Sequence, residues 1–144
     1  MAKKPEIPKS RAVLEYLENL VSSYEARHGV LRECSTIGQS VAPPLLADLE
    51  RLGAGEEVRG PIGELLYAVR GTRPELAWAV SQLGRYVERW HADPWMDKEL
   101  RHVLGYVKRT CHYGLLFVSA GDLWEDLWVT IWADGNLTVP RSHG

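Results

Sequence analysis

Apolar residues recur along this chain with the period of a helix over most of its length, and the period changes only towards the C-terminal end. Val13, Leu14, Leu17, Leu20, Val21 and Tyr24 fall three and four positions apart. That spacing predicts a helix from an N-cap at Ser10 to about His28, with Gly29 at its C-terminal stop. The stretch RECSTIGQSVAP at 32–43 has no such period and reads as loop. A short helix is expected over 45–52, before the glycines at 53–55 break the chain.

Three further stripes follow. Ile62, Leu65, Leu66 and Val69 share one face of a helix expected over about 57–70, with Pro61 near its first turn. Pro74 opens a third helix whose buried stripe is Leu76, Ala79, Val80, Leu83, Val87 and Trp90. Trp78, Gln82, Arg85 and Arg89 fall on a neighbouring face of it. Asp93 and Pro94 cap a fourth helix, with Met96, Leu100, Val103, Leu104 and Val107 inward. Its other side shows Lys98, Arg101, His102, Lys108 and Arg109. After Thr110 the pattern turns to short runs rich in β-branched and aromatic residues, YGLLFV at 113–118 and LWVTIWA at 127–133. These predict strands, joined by the acidic turn-forming SAGDLWED.

The expected fold class is therefore α+β, a mainly helical block followed by a short β-hairpin or partial sheet. Residues 1–9, rich in Pro and Lys, are expected to be a disordered basic N-terminus. An N-terminal helix and loop-rich linker then occupy 10–56, the helical block 57–110, and the strands 111–144.

With 144 residues, 45% hydrophobic and 25% charged, the chain can bury a real core. Its net charge of -2 hides a segregation. Residues 59–109 carry nine basic and six acidic groups, a local +3, whereas 110–144 carry a local −3. Cys34 and Cys111 have no CxxC or disulfide-framework spacing, which favours a reduced intracellular setting, cytoplasmic or nuclear. The N-terminus has charge but no apolar run behind it, so no signal peptide is read there. No stretch approaches the roughly 20 apolar residues of a membrane span, and no membrane partner is expected.

Arg85, Arg89, Lys98, Arg101, Lys108 and Arg109 suit phosphate contact, with Trp78 or Gln82 against a sugar edge. The alternative is that these are ordinary solvated helix faces, with Glu88 and Glu99 supplying local pairs. Arg73 reads as a structural residue that pairs with a carboxylate or a backbone carbonyl and fixes the turn before Pro74. Tyr67, Tyr106 and Tyr113 read as packing residues rather than base-stacking platforms. Asp134, at the end of an apolar run and followed by Gly135, suits either a metal-ligating carboxylate or a turn. Cys111 and His112 are adjacent and cannot easily chelate one metal together, so no zinc or other metal site is read. There is no Gly-rich phosphate loop, GxSxG elbow or HExxH.

Taken together, Gly63, Leu65-Leu66-Tyr67, TRPELAWAVSQLGRY at 72–86 and HVLGYVKRTCHYGLLF at 102–117 resemble the reverse transcriptases of copia-type retrotransposons. Those carry a segment of the form GxLLYxxxxTRPDxAxAVSxLSRF, then a Pro-containing linker, then KxxxRVLRYLKGTxxYGLxY. The resemblance covers about 58–144 and picks out Gly63, Tyr67, Arg73, Pro74, Tyr113 and Gly114. Over 11–40 it is loose, a helix followed by CST. It implies a thumb and connection that hold a primer–template duplex and lead into ribonuclease H. Asp134 would then be the first ribonuclease H carboxylate.

The departures bear on activity. The chain has no Asp-Asp pair of the kind the family's polymerase uses. Ribonuclease H needs several carboxylates around two metal ions, whereas Asp134 is followed by only ten residues. The expectation is a polyprotein fragment that contacts an RNA–DNA hybrid or DNA duplex, is not an enzyme alone, and needs no cofactor. Mg2+ is implied only for the complete enzyme, and the expected partner besides nucleic acid is the remainder of the polyprotein. Two competing readings are a helical protein-interaction module and a non-functional relic of a transposon reading frame, the former favoured by six Trp and an unfinished sheet.

Overall fold

The structure is a computed structural model that describes residues 9–53 and 56–113. Its elements are α1 (Lys9–His28), α2 (Glu56–Gly71), α3 (Ala77–Arg85) and α4 (Trp95–Thr110). Short 3-10 turns lie at Leu46–Asp48, Pro74–Leu76 and Val87–Ala92. Helix α1 packs on α2 and α4, α2 on α3, and α3 on α4. The stripes meet in one core: Leu17 of α1, Leu65 of α2, Leu83 of α3, and Leu100 and Leu104 of α4 are fully buried. Each such leucine contributes about 1.5–3 kcal/mol relative to an exposed one. The N-terminal helix and the later helical block therefore share a single interior.

Over the described residues the α+β class gives way to an all-helical one. Among the described residues there is no strand, because each described segment other than the linker is accounted for by a helical apolar stripe. The runs at 113–118 and 127–133 that prompted the expected sheet lie, apart from Tyr113, outside the described residues. Tyr113 itself follows the turn that ends α4, its N–H donating to Thr110 O at 2.8 Å.

Two helix ends show local causes. Gly29 has φ +86, and its N–H donates to Glu25 O at 2.9 Å. That left-handed conformation ends α1 at little steric cost only for glycine. Helix α3 ends at Arg85, five residues before Trp90, although the stripe continues to Trp90. Tyr86 OH donates to Pro44 O at 2.8 Å, Arg89 Nε donates to Leu49 O at 3.2 Å, and Arg89 has φ −121 and ψ 17. These bonds to the linker hold a tight turn, and Trp90 stays buried within it. In the linker, the helix expected over 45–52 shrinks to the turn Leu46–Asp48.

The rest of the linker is a strap laid along α4. Cys34 N–H donates to Gly105 O at 3.3 Å, and Thr36 Oγ1 lies 3.0 Å from His102 Nε2. Gln39 N–H donates to Glu99 Oε2 at 3.0 Å, and Trp95 Nε1 donates to Val41 O at 2.9 Å. The strap thus descends α4 from Gly105 to Trp95. It comes so close at Gly105 that a Cβ there would collide with the Arg32 carbonyl oxygen.

Candidate nucleic-acid interface

The strap decides which of the expected cations face outward. Arg101 Nη1 donates to His28 O at 3.1 Å and its Nη2 to Val30 O at 3.3 Å, tying α4 to the end of α1. Lys108 Nζ donates to Glu25 Oε1 at 2.5 Å and to Leu31 O at 3.2 Å. The Lys108 ammonium and the Leu31 N–H hold the Glu25 carboxyl below the usual range. Arg89, bonded to Leu49 O, is likewise engaged. These three cations work inside the fold.

Arg85, Lys98 and Arg109 are exposed, and none has a partner among the described residues. Lys98 and Arg109 are eleven positions apart in α4, which returns them to the same helix face about 16 Å apart along the axis. Gly105 lies between them on that face, covered by the strap at Arg32, itself exposed. The sequence pattern missed Arg32, since it sits in a loop with no period to place it.

On α3, Trp78 is 67% exposed, Gln82 is half-buried, and Arg85 ends the helix. The face expected to run Trp78, Gln82, Arg85, Arg89 is cut before Arg89 by the end of α3.

The residues singled out by motif fall differently. Arg73 is buried, with Nη1 donating to Thr110 O at 2.9 Å, Nη2 to Thr110 Oγ1 at 2.6 Å, and Nε to Glu75 Oε1 at 2.6 Å. Its guanidinium also lies over the Tyr106 ring, 5.7 Å from the centroid. Pro74 starts the 3-10 turn leading into α3. Gly63 is exposed in α2 with nothing within 4 Å of a built Cβ. Tyr67 is exposed and tilts against Tyr16 at 5.0 Å, and Tyr113 is exposed beside the His112 ring at 4.8 Å. Gly114 and Asp134 lie outside the described residues.

Glu99, expected as a surface pair for a cation, is instead 3% exposed and accepts from the Gln39 backbone. Among the described residues no group of three or more His, Cys, Asp or Glu could hold a metal ion. No described helix is long and apolar enough to cross a membrane. No protein-family model matches the chain, and no solved structure matches it.

Proposed function

We propose that the chain is a segment of a copia-type retrotransposon polyprotein, from the thumb and connection that lead towards ribonuclease H. In this reading it contacts the backbone of an RNA–DNA hybrid or DNA duplex without reading sequence and without catalysis of its own. The observation that carries the contact is the pair Lys98 and Arg109, exposed and unpartnered among the described residues on one face of α4, with Arg32 between them. Cations so placed exchange counterions for phosphates at no cost in broken internal bonds. The family reading rests on the quoted motifs. It is supported by the bond from Arg73 to Thr110, which joins the TRPEL stretch to the KRT stretch. The partners are the nucleic acid and the rest of the polyprotein, in an intracellular compartment.

A second reading, a protein-interaction module, is favoured by the exposed Trp78, which no described side chain covers. Fluorescence anisotropy of a labelled RNA–DNA hybrid at two salt concentrations separates the two. Salt-sensitive binding is expected, and a folded protein that leaves the hybrid free would sink the duplex reading.

A further inference from the structure

Between the strap and α3 runs a groove of about 470 Å³, lined by strap residues 37–43, by Glu75, Trp78 and Ala79, and by Trp95 and Glu99 of α4. Its chemistry is aromatic and acidic at once. Trp78 is 67% exposed, while Trp95 is buried and spends its Nε1 on Val41 O. Glu99 is 3% exposed, yet no described cation pairs with it. Its Oε2 accepts from Gln39 N–H at 3.0 Å, and its Oε1 accepts no hydrogen bond among the described residues. Gly38 makes room for it, since a Cβ there would sit 2.7 Å from Oε1. Glu75 adds a second carboxylate, of which only Oε1 is engaged, by Arg73.

A buried carboxylate ordinarily carries a cation or a full set of hydrogen bonds. Here one oxygen lacks both, on a residue that lines the groove. With Glu75 already paired to Arg73, the complement of the unpaired Glu99 carboxylate beside an indole is an organic cation. Phosphates are excluded by the same charges, so this groove is distinct from the Lys98–Arg109 face and goes beyond the duplex reading. A metal ion is a poor fit, since no described group of three or more ligands could hold one.

We propose that the groove receives the side chain of an arginine presented by a partner protein, the guanidinium lying against Trp78 and pairing with Glu99. Arginine suits it better than lysine. The planar guanidinium stacks on an indole face while its forked N–H groups meet carboxylate oxygens, and it is more weakly hydrated than an ammonium. The fit is to a single anchoring side chain, with the exposed Val41 and Pro43 flanking the entrance for whatever neighbours it on the partner.

The test uses the full chain, ¹⁵N-labelled, titrated with the peptide acetyl-Gly-Arg-Gly-amide while the indole N–H signals of Trp78 and Trp95 are followed. Matched peptides carry lysine, or citrulline, which keeps the shape and loses the charge. A saturable shift of the Trp78 signal with a roughly millimolar Kd is expected for the arginine peptide. Citrulline should bind at least about tenfold more weakly, with lysine between them. Glu99→Gln keeps an acceptor for the Gln39 N–H and should lose a similar factor, and Glu75→Gln a smaller one. The proposal is overturned if no saturable shift occurs, or if citrulline matches arginine. It is overturned equally if dilution alone moves the Trp78 signal, which would make the occupant a second copy. A hybrid that shifts Trp78 where the peptide does not also overturns it, and would assign the groove to nucleic acid.

Discussion

Arg73 and Thr110 are joined twice, the guanidinium donating to the Thr110 carbonyl at 2.9 Å and to its hydroxyl at 2.6 Å across 37 positions of sequence. Both residues are buried, and the Thr110 hydroxyl in turn donates to Tyr106 O at 2.7 Å. The start of α3 and the end of α4 are thereby held by one planar side chain.

Removing that side chain takes one charge-assisted hydrogen bond each from the Thr110 carbonyl, which keeps Tyr113 N–H, and the Thr110 hydroxyl, which keeps Tyr106 O, and leaves Glu75 without its partner. Arg73→Ala is expected to cost about 2–4 kcal/mol in urea unfolding, from the lost charge-assisted hydrogen bonds of a buried side chain. Arg73→Lys should recover little of this, because an ammonium cannot present two parallel N–H groups. A loss below about 1 kcal/mol for Arg73→Ala would show that the pair is incidental.

Glycines at two helix positions should behave in opposite ways. At Gly105 a Cβ meets the Arg32 carbonyl oxygen, a backbone atom that moves only with the strap, so Gly105→Ala should destabilise by about 1–3 kcal/mol. At Gly63, an exposed position inside α2, nothing lies within 4 Å, and Gly63→Ala should stabilise by about 0.5–1 kcal/mol. Parallel denaturant titrations read both signs. The comparison matters because Gly63 belongs to the motif that suggested the family, yet its packing gives no reason for glycine.

The helices were legible because their signal is local: Leu17, Leu65, Leu83 and Leu104 keep a 3.6-residue period whatever they pack against. The early end of α3 was not, because the stripe runs on to Trp90 while the turn is imposed by Tyr86 and Arg89 bonding to a distant linker. The same limit applies to the site. A side-chain pattern places Arg101 and Lys108 on the polar side of α4, and it cannot reveal that the carbonyls of His28, Val30 and Leu31 wait there. Glu99 was misread for the converse reason, since the strap that buries it carries no periodic signal. The sheet rested on runs that begin at Tyr113 and otherwise lie outside the described residues.

The Glu25–Lys108 pair predicts a pH dependence with a definite sign. The Lys108 side chain, then the Leu31 N–H, lower the native carboxyl pKa, so the unfolded chain binds more protons than the native one between the two values. The stabilisation is complete above the ordinary glutamate range and is lost as pH falls through the lowered native value. Melting temperatures measured from about pH 3 to 7 should therefore fall more steeply on the acid side for the native chain than for Glu25→Gln. Parallel curves would mean the pair contributes nothing to that slope.

The outward and inward cations should separate in a binding experiment. Lys98 and Arg109 are exposed and bonded to no described residue, so replacing both with Ala should leave the melting temperature within a degree or two. It should also flatten the dependence of log K on log salt for an RNA–DNA hybrid by about 2. Arg101→Ala and Lys108→Ala should do the reverse. Each removes donors from carbonyls at the end of α1, so each lowers the melting temperature while changing the salt slope little. If the inward pair governs the slope instead, the strap carbonyls must release these side chains to the duplex, and the binding face is the one that joins α4 to α1. If neither pair changes it, any hybrid binding that remains lies elsewhere on the chain, and Arg85 at the end of α3 is the next residue to replace.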